Sequence, residues 1–207
     1  MSEEILLSNR QLKNEETRKK LLDAMEHIME KYDYNTLTIR NLCKVSGVAY
    51  GSFYNLFESK EDFLRYYLTH DFVEYMENYY SGNDEYEQMN ALEKCVDLFV
   101  TCAKYNENKG LLFISGFYSP YNYSLSPLGN DDKEYSFTPL VSMSIELLNR
   151  AKDEGLLPKE IDCQRVVDQF CYLFNGITFN WCISRGKFPM VQSVREVFGI
   201  YLKLNRV

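Results

Sequence analysis

The residues able to perform acid–base or metal chemistry are few and isolated in this sequence. The chain has 207 residues, with two histidines, His27 and His70, and six cysteines. No Cys-x-x-Cys pair occurs and no histidine lies within five residues of a cysteine, so the spacing does not match a zinc site. We therefore expect no metal, no cofactor and no catalysis. The cysteines are expected to be small core residues, and a redox-sensing thiol is the alternative.

Side chains suited to phosphate and base-edge contacts are instead concentrated in one short stretch. Thr38 and Lys60 each begin a predicted helix, where a hydroxyl, free backbone N–H groups or an ammonium can bind a phosphate. Tyr50, Gly51 and Ser52 open another short helix, in which Gly51 permits close approach and Ser52 can bond to a base edge or a phosphate. These groups are compatible with DNA binding, which would require neighbouring elements that hold the short helix outward.

Hydrophobic residues at three- and four-residue steps predict those elements to be helices, and no period-two strand pattern appears. Asn14 is expected to cap the first helix, and Gly47 is expected to end the second by adopting the left-handed conformation. Two short helices joined by a glycine-containing turn and supported by an earlier helix are typical of a helix-turn-helix, whose second helix enters the major groove. The predicted helices are 14–32, 39–45, 50–57, 59–80, 85–106, 109–118, 134–154, 163–184 and 191–204.

The segment from Thr38 to Leu64, TIRNLCKVSGVAYGSFYNLFESKEDFL, closely resembles the DNA-binding signature of the tetracycline-repressor (TetR) family. The resemblance implies an all-α fold with a three-helix DNA-binding unit containing the helix-turn-helix, residues 1–60. A larger helical domain that binds an effector and dimerises, residues 61–207, is implied to follow. The implied function is a DNA-binding transcriptional regulator, a dimeric repressor that releases its operator when a small molecule binds the C-terminal domain.

The resemblance also assigns DNA contacts to the helix 2 threonine, the recognition helix, the tyrosine near its end and the lysine that starts helix 4. Ala49 departs from the family, which usually has Ser or Thr there, and removes a side-chain cap from the recognition helix. Leu56 departs as well, since the family often has an aromatic residue or His at that position. Arg40 and Lys44, four residues apart, face either DNA or solvent, whereas Phe53 and Phe57 are expected in the core. The residues expected at the DNA are Thr38, Arg40, Ala49, Tyr50, Gly51, Ser52, Tyr54, Asn55 and Lys60.

A single recognition helix contacts few base pairs, so we expect a homodimer on a pseudo-palindromic double-stranded operator. The predicted helix 163–184 is apolar nearly all round and must be buried on two sides. With 191–204 it is expected to form a four-helix bundle with a second copy, which is where the TetR family dimerises. Alternatively, Trp181 and its neighbours fill the core of one chain. The expected interface residues are Val167, Cys171, Gly176, Trp181, Val194, Phe198 and Tyr201.

Aromatic side chains in the C-terminal domain would suit a small hydrophobic or aromatic effector, although any single aromatic residue is more often core than pocket. A buried carboxylate such as Asp97 or Asp168 could admit a cation. The expected ligand-binding residues are Phe99, Phe113, Phe117, Tyr118, Phe137, Met143, Phe170 and Phe174.

Composition and charge disfavour other classes of protein. The 45% apolar and 26% charged content is that of a globular chain, and no apolar run approaches the roughly 18–20 residues that span a bilayer. We therefore expect a cytoplasmic protein with no membrane partner. The net charge of −7 arises mainly in residues 67–207, which carry −6, so it does not exclude a DNA partner. The alternative is a helical protein-interaction module without sequence-specific DNA binding, which steep salt dependence of DNA affinity would exclude.

Overall fold

The computed structural model describes residues 8–31, 36–118 and 138–204, and these ranges contain ten α-helices and no β-strand. The expected all-α fold is therefore confirmed. The chain divides into two compact units, Met1–Tyr67 and Leu68–Val207, and the domain boundary at residue 60 stays a prediction. The helices are α1 Asn9–Lys31, α2 Ile39–Ser46, α3 Tyr50–Tyr54, α4 Lys60–Tyr80, α5 Asp84–Gln88, α6 Ala91–Lys109, α7 Leu111–Phe117, α8 Thr138–Asp153, α9 Cys163–Ile183 and α10 Met190–Leu204.

The first helix begins five residues earlier than its hydrophobic pattern predicts. The Gln11 backbone N–H donates to Ser8 Oγ at 3.3 Å, and the Ser8 backbone N–H donates to Gln11 Oε1 at 2.8 Å. This reciprocal pair is a capping box, which satisfies two of the orphan donors at a helix start. The prediction that Asn14 caps α1 is therefore wrong, because Asn14 lies inside the helix.

The single helix predicted over 85–106 is in fact two helices, α5 and α6. Asn90 Oδ1 accepts from the backbone N–H groups of Leu92 and Glu93, both at 3.0 Å. Glu93 Oε2 in turn accepts from the Asn90 backbone N–H at 2.9 Å. This second capping box starts a new helix, so the polypeptide breaks at Met89 and Asn90 even though helical periodicity continues across them.

The core of the N-terminal unit is aromatic and aliphatic, as expected for Phe53 and Phe57. Both side chains are fully buried, and their ring centroids lie 5.9 and 5.2 Å from that of Phe63. Leu21 and Met25 of α1 are buried in the same unit, where α1 packs against α2. These contacts place the inward side of α3 in the core and leave its other side exposed.

In the C-terminal unit, α6 is the central helix and packs chiefly against α8 and α10. The Phe99 ring of α6 lies 5.4 Å from Phe170 of α9 and 4.8 Å from Phe198 of α10. The Phe170 and Phe198 rings are 4.6 Å apart, so three helices meet in one aromatic cluster. None of the described helices is long and apolar enough to cross a bilayer.

Candidate nucleic-acid interface

Local backbone chemistry builds the corner between α2 and α3. Thr38 caps α2, since its Oγ1 accepts from the Asn41 backbone N–H at 3.1 Å. Gly47 ends α2 with φ 68° and ψ 12°, the left-handed conformation predicted for it. Val48 is buried after the turn. Ala49 is the N-cap residue of α3, and because its methyl group cannot accept a hydrogen bond, the helix has no side-chain cap. The result is a helix-turn-helix whose second helix has one exposed side.

Two tyrosines occupy the exposed side of α3. The helix itself ends at Tyr54 and is therefore shorter than the predicted helix 50–57. Tyr50 and Tyr54 stand one turn apart with their hydroxyl oxygens 3.4 Å and their ring centroids 5.1 Å from each other. Gly51 and Asn55 are exposed beside them, while Phe53 points into the core. The surface therefore offers hydroxyl groups for phosphates and flat apolar rings for thymine methyl groups.

The contact between the two tyrosines affects the ionisation of Tyr54. The hydrogen bond that Tyr54 shares with Tyr50 raises the pKa of Tyr54, because donation by the Tyr54 hydroxyl favours its neutral phenol over the phenolate. A neutral phenol keeps its proton and can donate it to a phosphate oxygen. Tyr54 is thus suited to hold the DNA backbone, the role predicted for it.

The start of α4 is held by a small hydrogen-bond network that positions Lys60. Ser59 Oγ accepts from the Asp62 backbone N–H at 3.1 Å, and Asp62 Oδ2 accepts from the Glu58 backbone N–H at 2.9 Å. The other oxygen of Asp62 pairs with the buried guanidinium of Arg65. Lys60 directly follows Ser59 of this network and is the half-exposed first residue of α4.

The structure places most of the expected DNA contacts on the exposed parts of α2 and α3. Arg40 and Lys44 are both exposed on α2, so the structure is compatible with either alternative, contact with DNA or contact with solvent alone. The set as a whole divides by exposure: Thr38, Arg40, Ala49, Tyr50, Gly51, Tyr54 and Asn55 are exposed, and Ser52 and Lys60 are half-buried. Their roles at the DNA stay predictions.

The two glycines of the helix-turn-helix should respond in opposite ways to the same substitution. Gly47→Ala should destabilise the protein by about 1 kcal/mol, because alanine is strained at a positive φ. Gly51→Ala should stabilise it by up to about 1 kcal/mol, because Gly51 is helical and an added Cβ meets no atom within 4 Å. Chemical denaturation of both variants tests this, and an equal effect at the two sites would contradict it.

The expected ligand-binding residues are mostly in the core of the C-terminal unit. Met143 is half-buried on α8, and Phe137 lies outside the described residues. The six others, Phe99, Phe113, Phe117, Tyr118, Phe170 and Phe174, are buried. The structure brings Phe99, Phe170 and Phe174 together, with Phe99 and Phe174 ring centroids 6.0 Å apart. A ligand-binding role for the set stays a prediction.

The two acids considered for a cation differ in their surroundings. Asp97 is buried on α6, with Oδ2 3.5 Å from the Thr101 hydroxyl, which itself accepts from the Tyr80 hydroxyl at 3.2 Å. Asp168 is half-buried and accepts from Gln164 at 2.9 Å. Within the part of the chain that the structure describes, no group of three His, Cys, Asp or Glu side chains could hold a metal ion.

Removing the Asp97 charge should stabilise the protein at neutral pH. Burial raises the pKa of Asp97 above its ordinary 3.8, so the carboxylate form is disfavoured in the folded state. Keeping Asp97 charged therefore lowers the free energy of unfolding at neutral pH. This destabilisation disappears as the pH falls through the raised pKa to below 3.8. Asp97→Asn should therefore melt a few degrees higher than wild type at neutral pH, with the difference vanishing in acid. Thermal unfolding against pH measures this, with the exposed Asp153→Asn as control; a lower melting temperature for Asp97→Asn at neutral pH would refute it.

The dimer interface needs a correction, because several of its expected residues are inside one unit. Val167, Val194 and Phe198 are fully buried, so they have no surface left for a second copy. Trp181 is also buried, which agrees with the alternative that it fills the core. Among the remaining three, Cys171 and Tyr201 are half-buried and Gly176 is exposed. Tyr201 donates from its hydroxyl to Gln169 of α9.

The exposed face of α9 carries residues that the sequence reading missed. Tyr172, Phe179 and Ile183 are 49%, 42% and 62% exposed. Together with Gly176 they follow steps of four, three and four residues, which places them on one side of the helix. We name these four residues the α9 stripe. The spacing is visible in the sequence, but a helix that is apolar nearly all round does not show which side faces outward.

Comparisons with known proteins agree with this architecture. Residues 21–67 match the model of the bacterial regulatory proteins of the tetR family. No curated protein matches the chain significantly. The fold resembles that of Thermus thermophilus FadR, a TetR-family transcriptional repressor solved with lauroyl-CoA, at 16% identity and a TM-score of 0.68 over 92% of this chain and 95% of that one.

Two further solved structures share the fold. A TetR transcription regulator from Haloarcula marismortui has 14% identity and a TM-score of 0.60, over 92% of this chain and 98% of that one. The fatty acid degradation regulator FadR from Bacillus halodurans has 16% identity and a TM-score of 0.54, over 90% and 94%. The matched segment begins in α1 and contains the whole helix-turn-helix described above. Residues 21–67 of this chain therefore match the tetR family of bacterial regulatory proteins, and the chain shares the fold of solved TetR-family transcriptional regulators.

Proposed function

We propose that this regulator is a homodimeric repressor that binds a pseudo-palindromic operator and releases it when a small molecule binds its C-terminal unit. The observation that carries the proposal is the exposed tyrosine pair on α3, held outward by a helix-turn-helix whose other side is core. A recognition helix presented in this way fits the major groove. Arg40, Lys44 and Lys60 supply cations for phosphates on either side of it.

The α9 stripe supports the dimer. Large apolar side chains exposed in a row at helical spacing are unfavourable in water and suit a partner helix. Gly176 lies within the stripe, and a Cβ added there would meet no atom within 4 Å, so the face is open to close approach. In a two-fold dimer the same stripe of a second copy would pack against it. Two recognition helices then read two half-sites, which raises specificity over a single copy.

The ligand response is supported by the aromatic interior of the C-terminal unit and by a structural relative. Thermus thermophilus FadR, which shares the fold, was solved with lauroyl-CoA. A ligand that prefers one conformation of the dimer shifts the population toward it. If that conformation misaligns the two recognition helices, DNA affinity falls by the ratio of the ligand's affinities for the two states.

Fluorescence anisotropy with the DNA upstream of the protein's own gene tests operator binding. Binding should resist nonspecific competitor and weaken steeply with salt. Tyr54→Phe removes one hydroxyl and Lys60→Ala one ammonium, and each should weaken binding about 5- to 10-fold, since each lost bond is worth about 1 kcal/mol or slightly more. Equal affinity for every sequence, or no effect of either substitution, would contradict the assigned contacts.

A further inference from the structure

The exposed side of α3 carries side chains that read one kind of base pair and lacks those that read the other. Its exposed residues are Tyr50, Gly51 and Tyr54, followed by Asn55 at the C-cap. No arginine, lysine or glutamine occurs between residues 49 and 55. Guanine is read chiefly by bidentate Arg or Lys, whereas thymine is read by apolar contact with its methyl group and adenine by Asn or Gln. The composition of this side therefore favours A·T pairs.

Tyr50 is held in place by a row of aromatic rings that begins in the core. The Tyr54 ring lies edge-on to the buried ring of Phe53, with centroids 5.4 Å apart and an interplanar angle of 83°. The Tyr50 ring lies in turn 5.1 Å from that of Tyr54 at 65°, and their hydroxyl oxygens are 3.4 Å apart. A side chain ordered in this way before DNA binds loses little conformational entropy on binding. The Tyr50 ring is thus a preformed apolar surface.

The space beside this ring is open. Tyr50 remains 54% exposed although one of its sides meets Tyr54. The next residue, Gly51, has no side chain, and a Cβ added there would meet no atom within 4 Å. A methyl group on a base edge can therefore approach the ring, and covering the exposed ring removes apolar surface from water.

The cations near α3 lie on its neighbours. Arg40 and Lys44 are exposed on α2, and Lys60 is the first residue of α4. In a helix-turn-helix the first helix crosses the DNA backbone and the second enters the major groove. Contacts of these cations with phosphates position the protein but carry no sequence information. Direct reading of bases is therefore left to α3.

We infer that Tyr50 determines sequence specificity by packing its ring on the C5-methyl group of a thymine in each operator half-site. The Asn55 amide, one residue beyond α3, matches the adenine edge and favours the same class of base pair. The inference rests on the proposed function, since it requires that α3 enter the major groove of an operator. It adds the class of base pair that the operator presents to α3.

Removing single methyl groups from the DNA tests the inference. The operator is selected from random double-stranded DNA with the full-length protein, and each thymine is then replaced by uracil, which lacks only the methyl group. In each half-site, one replacement should weaken binding about 3- to 5-fold, the contribution of one buried methyl-sized group. Replacing both symmetry-related thymines should weaken it about 10- to 20-fold, because the two half-sites contribute equally. An operator at which no thymine responds to loss of its methyl group overturns the inference.

The other pyrimidine provides a matched DNA control. A C·G pair at the responsive position should weaken binding, and 5-methylcytosine in the same pair should recover part of the loss, because its methyl group occupies the same place in the major groove. No difference between cytosine and 5-methylcytosine at that position contradicts a contact with the methyl group.

Variants of the protein then assign the methyl contact to the ring. Tyr50→Ala should bind the thymine and uracil operators equally, whereas Tyr50→Phe keeps the ring and should keep the wild-type ratio of the two affinities. Lys60→Ala should weaken both operators by the same factor, because a phosphate contact does not sense the methyl group. All three variants should melt near wild type, since these side chains are exposed or half-exposed. An unchanged ratio in Tyr50→Ala, or loss of the ratio in Tyr50→Phe, refutes the assignment.

The outcomes separate this inference from the proposed function. Equal binding to every sequence in the selection would overturn both. Selective binding to an operator whose affinity does not depend on thymine methyl groups would retain the proposed function and refute the role of Tyr50.

Discussion

Gly51→Glu is expected to weaken operator binding by at least about 100-fold while leaving the fold intact. Gly51 lies on the exposed side of α3 between Tyr50 and Tyr54, and a Cβ added there meets no atom within 4 Å. The new carboxylate would face the DNA phosphates, and juxtaposed like charges at an interface cost several kcal/mol. Anisotropy on the operator measures the loss, and thermal unfolding should show a melting temperature near that of wild type.

Two variants control for the added side chain and the added charge. Gly51→Ala should keep operator affinity within a few-fold of wild type, because it adds a methyl group without charge. Leu112→Glu adds the same charge at an exposed position of α7, in the other unit, and should leave operator affinity unchanged. If Gly51→Glu binds the operator as wild type does, α3 is not the recognition helix.

Replacing two members of the α9 stripe by acids should convert the dimer to a monomer at micromolar concentration. In Phe179→Glu/Ile183→Glu, two side chains expected to be buried between copies become charged, and the two-fold symmetry doubles the number of affected sites. Burying four carboxylates without partners costs far more than the stripe contributes by burying apolar surface. Sedimentation velocity of wild type and variant at the same concentration measures the change.

The same variant should also lose operator binding, because one recognition helix cannot span two half-sites. Its melting temperature should be tested at a concentration where wild type is monomeric, so that dimer loss is not mistaken for misfolding. Leu112→Glu serves again as the control for an exposed carboxylate added elsewhere in the unit and should remain dimeric. A wild-type protein that sediments as a monomer, or a stripe variant that stays dimeric, would contradict the assignment of the interface.

Sequence reasoning succeeded where the structure depends on neighbouring residues. Thr38 as an N-cap, Gly47 as a left-handed C-cap and Ala49 as a missing cap were all predictable, because each is decided within a few residues. The same reasoning missed the capping boxes at Ser8 and Asn90 and so misplaced two helix starts. In both cases the local polar pattern, and not the hydrophobic periodicity, marks the residue at which the helix begins.

The sequence alone determined that the described residues are helical and that α2 and α3 form a helix-turn-helix, because caps, turns and hydrophobic spacing act over short distances. Only the tertiary structure decided which side of α9 faces outward, because the helix is apolar nearly all round and its orientation depends on contacts with α7, α8 and α10. As a result, Val167 lies in the core and Phe179 lies at the surface. It also brought Phe99, Phe170 and Phe198 together across a long separation in sequence, since packing between helices, rather than any local propensity, places such residues together.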